Sequence, residues 1–162
     1  MSKKNFHKDG IQELKKLYME DNRRHYPNLP EYARSLPRYT DKDANGLTRC
    51  VIDYINLNGY QAERIANMGR PVDESKVYTD VIGNHRRIGG VKWIPGQGTA
   101  GTADISATIA GRAVKVEVKI GRDRQSEAQK KYQDKIERAG GVYLLVHTFD
   151  EFMTWYKEFI ND

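Results

Sequence analysis

Thiol chemistry is almost missing from this chain: Cys50 is its one cysteine. No disulfide can form within it, and no His/Cys spacing of the kind that holds zinc is present. Cys50 sits among the apolar residues of an expected helix, which points to a reduced, buried thiol. Long apolar runs are missing too. Nothing approaches a membrane span, and the polar, charged start Met1–Lys8 has no signal-peptide core, so an intracellular (cytoplasmic) protein with no membrane partner is expected. The glycine-rich run from Gly96 to Gly101 lacks the Gly-Lys-Ser/Thr ending of a P-loop. It therefore marks no nucleotide-triphosphate site, although its backbone can approach a phosphate closely. There are no internal repeats and no low-complexity tract. What is there is positive charge, +5 over 162 residues with a pI near 9.2. That length suits one domain with a real core, and that charge favours an anionic partner.

The organising stretch runs from Gly101 to Tyr132. Asp104–Ile109 alternates polar and apolar residues, and Ala113–Ile120 does so again, with Val114, Val116, Val118 and Ile120 on one face and Lys115, Glu117 and Lys119 on the other. Strict alternation marks half-buried strands. Ala110-Gly111 between them fits a two-residue hairpin loop. That loop pairs Ile109 with Arg112, holds the sum of paired residue numbers constant, and sets Asp104 opposite Glu117. Opposed side chains have Cβ atoms about 4.5–5.5 Å apart, and Lys119 shares the face of Glu117.

Two opposed carboxylates repel in an ordinary sheet. The pattern alone leaves two readings. In one, the acids share a divalent cation: Mg²⁺ takes hard oxygen ligands from carboxylates alongside water and substrate phosphate. The Val118 carbonyl then adds a further oxygen, and Lys119 is a point charge aimed at phosphate or at developing negative charge. In the other, Asp104 and Lys115 or Lys119 form surface ion pairs on a solvated sheet face.

Asp104, then Glu117-Val118-Lys119, then Ser126-Glu127-Ala128-Gln129 and Gly140-Gly141-Val142-Tyr143 together resemble the PD-(D/E)XK nuclease superfamily, and within it the VRR-NUC type domain. The likeness spans roughly Thr48 to Val146. It implies an α/β fold with a restriction-endonuclease-like αβββαβ core and mixed sheet, here with an N-terminal helical extension and an inserted hairpin. It also implies a Mg²⁺-dependent nuclease (Mn²⁺ a possible substitute) that hydrolyses DNA phosphodiester bonds and leaves a 5′-phosphate, often at branched, flapped or junction DNA. Asp104, Glu117, Lys119 and Gln129 would be catalytic, with Asp104, Glu117 and Val118 at the metal. Small stand-alone domains of this kind work as homodimers, in settings such as phage or mobile-element replication. In the family the first helix often carries a metal-site glutamate. Here Asn45 stands near that place, which counts against two-metal chemistry but not against a single-metal site. The rival functions are a non-catalytic DNA-binding module on the same fold and a protein-interaction domain with incidental charge.

The remaining chain divides into residues 1–40, a basic helix and Pro-rich connector, and 41–162, the nuclease-like domain. A helix opening at Asp9 or Gly10 carries Ile11, Leu14, Leu17 and Tyr18 on one stripe. Pro27, Pro30 and Pro37 break the pattern that follows. A second helix is expected from Asp43 to Asn58, stopped by Asn58-Gly59, and a first core strand over Tyr60–Met68. Glu63 on that strand is either a stand-in for the absent acid or a surface carboxylate paired with Arg64 or Arg70. Residues 70–88 read as an insertion: a strand over Val77–Ile82 and a Gly83-Asn84 turn into His85-Arg86-Arg87. Arg86 and Arg87 there, and Lys115, Arg122, Arg124, Ser126 and Lys130 nearer the hairpin, are candidate nucleic-acid contacts. Ser126 and Gln129 also fit a capping box. Val142–Val146 suits a buried strand, and Phe149–Ile160 an amphipathic helix with Phe152, Trp155, Tyr156 and Phe159 in the core or on a dimer face.

Overall fold

Local signals fix most of the element ends. The computed structural model describes residues 9–66, 69–96 and 98–162. The first strand, expected over Tyr60–Met68, spans only Gln61–Arg64, with Ile65 and Ala66 already outside it; Asn67 and Met68 lie outside the described residues, as do Met1–Lys8 and Gln97. In chain order the elements are α1 (Asp9–His25), a single 3-10 turn (Glu31–Ala33), α2 (Ala44–Leu57), β1 (Gln61–Arg64), β2 (Arg70–Asp73), β3 (Lys76–Thr79), β4 (His85–Ile88), β5 (Val91–Ile94), β6 (Ile105–Ile109), β7 (Arg112–Val118), α3 (Glu127–Arg138), β8 (Val142–Val146) and α4 (Phe149–Phe159). No described helix is long and apolar enough to cross a membrane.

The four-stranded sheet runs β1-β6-β7-β8. β1, β6 and β7 are mutually antiparallel, whereas β8 returns parallel to β7 after α3. The loop between β6 and β7 is the two-residue one: Ile109 faces Arg112, and every later pair keeps the same sum out to Ile105 and Val116. Ala110 and Gly111 both have positive φ, +49° and +76°. That is the backbone of a tight hairpin turn whose hand matches the strand twist. Alanine tolerates it poorly, and asparagine better. Ala110→Asn is accordingly expected to stabilise the protein by about 1 kcal/mol, read as a higher urea midpoint at unchanged slope.

One face of the sheet carries Ile105, Ala107, Ile109, Val114, Val116 and Val118, packed in one core with α1, α2 and α4. Asp43 caps α2 by accepting from the Gly46 amide at 2.9 Å, which leaves Leu47, Cys50, Val51, Tyr54 and Ile55 aimed inward. Burial pushes the Cys50 thiol up to about 12, so it is neither nucleophile nor ligand at neutral pH. Leu14 and Tyr39 belong to the same core, so it extends into the residues before Asp41. The opposite face is covered by α3, through Tyr132 against Tyr143 and Gln129 against Glu117.

Three expectations need correction here. β8 is not buried on both sides. It lies at the sheet edge, with Tyr143 and Val146 buried and Leu145 exposed. The strand expected over Val77–Ile82 stops at Thr79, because the Asp80 carboxylate accepts from the Ile82 and Asn84 amides at 3.0 and 2.9 Å and folds the chain into a turn. The insertion is also longer than expected, since Val91–Ile94 pairs back onto Arg70–Asp73.

Candidate metal and phosphate site

Glu117 sits on the alternating polar face of β7 and Lys119 one residue past its end on the same side, a face that an exposed sheet would leave in water. Here α3 covers it: Glu117 is 2% exposed and Lys119 is 7%. Apart from Thr48 they are the buried polar or charged residues among those described. The solvated-face reading therefore does not describe this structure.

Asp104 precedes β6 by one residue. Its backbone carbonyl accepts from the Ile65 amide at 2.8 Å, and its Oδ2 accepts from the Val118 amide at 2.9 Å. Those bonds hold Asp104 at the position where the constant sum of the hairpin sets it against Glu117. Oδ1 is left for another partner.

The two oxygens of Glu117 are treated differently. Oε1 takes the Lys119 ammonium at 3.1 Å and the Gln129 side-chain amide. Oε2 is buried with no hydrogen-bond partner among the described residues, and the Tyr143 hydroxyl is buried without one as well. Burial raises the Glu117 pKa above the ordinary carboxylate range, and the Asp104 charge raises it further. Lys119 and a weaker influence of the Tyr143 hydroxyl act the other way. Lys119 is opposite in kind. Burial alone would lower its pKa, but Glu117 and Asp123 more than offset that and hold it charged; Asp123 Oδ2 lies 3.3 Å from Nζ. Glu117 is thus the group the fold leaves short of positive charge.

Gln129 does two jobs at once. Its Oε1 accepts from the Ser126 amide at 2.9 Å while Ser126 Oγ accepts from the Gln129 amide at 3.2 Å, a complete capping box. Its Nε2 donates to Glu117. The cap therefore fixes the rotamer that reaches the carboxylate. Gly101 sets this start of α3 from outside. It has φ +79°, and a Cβ there would meet the Ala128 carbonyl and come within 2.6 Å of the Gln129 nitrogen. The close approach that the glycine run allows is thus made to α3.

The other sequence-chosen residues divide. Arg122 and Arg124 are exposed on the loop after Lys119 and make no ion pair among the described residues. Lys130 pairs with Glu127 at 2.8 Å, and Lys115 donates to Ser106 Oγ at 2.6 Å. Arg86 is bound to Asp80 at 2.7 Å, and Arg87 to Asp73. Glu63 is exposed, opposite Ser106. Asn45 lines a separate cleft of about 620 Å³ with Arg38, Arg49 and Arg64, and supplies no acid to the carboxylate pair. Asp123 and Tyr143 are site residues that sequence reasoning missed. Asp123 is visible as an acid four residues after Lys119; Tyr143 reaches the site only through the parallel pairing of β8.

The donor set suits a hard cation. Mg²⁺ and Mn²⁺ accept one or two carboxylates and keep waters for the remaining positions. A buried carboxylate oxygen with no donor, beside a second carboxylate, is what such an ion would satisfy. Among the described residues no group of three or more His, Cys, Asp or Glu side chains that could hold a metal ion converges. A scan against protein-family models and a search of curated proteins both return no match.

Proposed function

We propose that this chain is a metal-dependent nuclease hydrolysing DNA phosphodiester bonds, on a restriction-endonuclease-like αβββαβ core of the PD-(D/E)XK type. The observation that carries the reading is the buried Glu117, with its unpartnered Oε2, facing Asp104 beside a buried Lys119. A buried ion pair gives little net stability, and a second acid next to it makes matters worse. Such an arrangement is better explained by what it binds than by what it holds together.

Asp104, Glu117 and the Val118 carbonyl would hold Mg²⁺ or Mn²⁺. When bound, that ion lowers the pKa of a coordinated water and polarises the scissile phosphate. Lys119 has one ammonium proton beyond those given to Glu117 and Asp123, and would place positive charge where the phosphorane gathers negative charge. Gln129 holds Glu117 through Oε1, leaving Oε2 for the ion, and its Nε2 lies where it could donate to a phosphate oxygen. Arg122 and Arg124, with Lys130, Lys115 and Ser126 around them, offer the contacts for flanking phosphates. Branched, flapped or junction DNA is the substrate class that the resemblance favours, and a homodimer the assembly.

One observation favours a rival, a DNA-binding module without catalysis: the absence of a third converging acid among the described residues. A single assay separates the two. Supercoiled, linear, single-stranded and branched DNA are incubated with the protein in Mg²⁺, Mn²⁺ or EDTA. Cutting in the metals and not in EDTA is expected, with Lys119→Met abolishing it while DNA binding in EDTA persists. Binding without cutting in either metal gives the answer to the rival.

A further inference from the structure

The insertion between β1 and β6 is one continuous arm. β2 pairs with β5 and β3 with β4, and both ladders keep the same sum of residue numbers, from Arg70 opposite Ile94 to Thr79 opposite His85. The Glu74 amide bonds the Gly90 carbonyl at 3.1 Å, so the register carries across the gap. From Arg70 to Asp80 the arm extends about 33 Å at strand rise, close to one turn of B-DNA. It leaves the sheet where Arg64 pairs with Ile105, next to Asp104.

Its two faces differ. Side chains on the odd-numbered face satisfy one another: Arg87 binds Asp73 and Ser75, and Thr79 meets His85 at 3.1 Å. The even-numbered face carries the Arg86–Asp80 pair and the exposed Glu74, and beside them Arg70, Lys76 and Lys92, exposed and with no ion pair among the described residues. Beyond the last pair, the Asp80 turn holds Val81 and Ile82 out in water, 106% and 78% exposed. An ordered turn that displays two aliphatic side chains is costly unless something covers them.

We propose that this arm grips duplex DNA flanking the metal site, with Arg70, Lys76 and Lys92 along the phosphates and the Val81-Ile82 tip wedged into a groove. A two-stranded ribbon fits a DNA groove, and apolar tips that part base steps belong to DNA-bending proteins. On the even-numbered face a second copy is the poorer occupant, because a two-fold contact there would set the same cationic stripe against itself. The inference rests on the nuclease reading only for which DNA lies nearby; binding in EDTA tests it separately.

The experiment measures fluorescence-anisotropy binding of the full chain to a 30-base-pair duplex in EDTA across a salt series, and end-to-end energy transfer on the same duplex. Arg70→Ala/Lys76→Ala/Lys92→Ala is expected to bind at least about tenfold more weakly near 0.1 M salt, with the log–log salt slope shallower by about 2–3. Val81→Ser/Ile82→Ser should keep the slope and lose the DNA bend. Thermal melting of each variant should match the parent, since these side chains are exposed. If both variants bind and bend DNA as the parent does, the proposal is overturned. It is also overturned if sedimentation shows a dimer that Val81→Ser/Ile82→Ser dissolves while the DNA salt slope of the triple variant is unchanged, which gives the arm to a second copy. If arm-dependent binding appears but no metal supports cutting, the arm stands and the reading of the metal site falls.

Discussion

Glu117→Gln is expected to lose Mg²⁺-dependent cleavage by about 10²–10³-fold and, in EDTA, to melt at a higher temperature than the parent protein. The two effects share one cause. Burial and the Asp104 charge raise the Glu117 pKa in the folded state, so the fold binds that proton more tightly than the unfolded chain does. Stability from this group is fully present below the unfolded carboxylate pKa and is lost as pH rises through the raised folded value. Without metal, the charge that Glu117 takes on as pH rises through that value is therefore a burden, which a neutral amide of the same shape removes. Lys119 keeps Asp123, and the carbonyl oxygen of the substituted amide could still accept from Lys119 and Gln129. Added Mg²⁺ should raise the melting temperature of the parent by mass action and leave the variant unmoved. Undiminished cleavage by Glu117→Gln would sink the site assignment. A lower melting temperature in EDTA would show that Glu117 is not the strained partner.

Gly101→Ala should be strongly destabilising for a single methyl, at about 2–5 kcal/mol. Part of this, about 1–2 kcal/mol, is the left-handed backbone that only glycine adopts freely. The remainder, about 1–3 kcal/mol, is overpacking against backbone that cannot turn aside, namely Ala128 and Gln129 at the start of α3. Gly140→Ala is the matched control. Its φ is also positive, at +80°, but a Cβ there meets nothing within 4 Å. Urea denaturation of the two variants isolates the contact. Equal losses would mean that the loop does not press on α3.

What is legible in the sequence is local. The Ala110-Gly111 turn fixes its register within two residues, and with it the pairing that faces Asp104 toward Glu117. Asp43, Asn58 and the Ser126–Gln129 pair announce helix ends because a cap is a contact between residues three or four apart. What escapes it is made by distant partners. That α3 buries the polar face of β7 depends on the crossover to β8, and nothing in Lys115-Val116-Glu117 distinguishes a covered face from a wet one. Val91–Ile94 joins the arm only because Arg70–Asp73, some twenty residues earlier, is in register with it. Gly101 reads as a place for phosphate, since a glycine announces close approach without saying to what.

The arm's strands are almost wholly exposed and share no ladder with the main sheet. Substitutions in it can accumulate without testing the fold, and if the arm grips DNA as proposed it answers to selection on that DNA. Relatives that keep the Asp104–Glu117 hairpin should diverge fastest between residues 70 and 94, and an exchange of that segment between them should transfer preference for a target while leaving the chemistry behind.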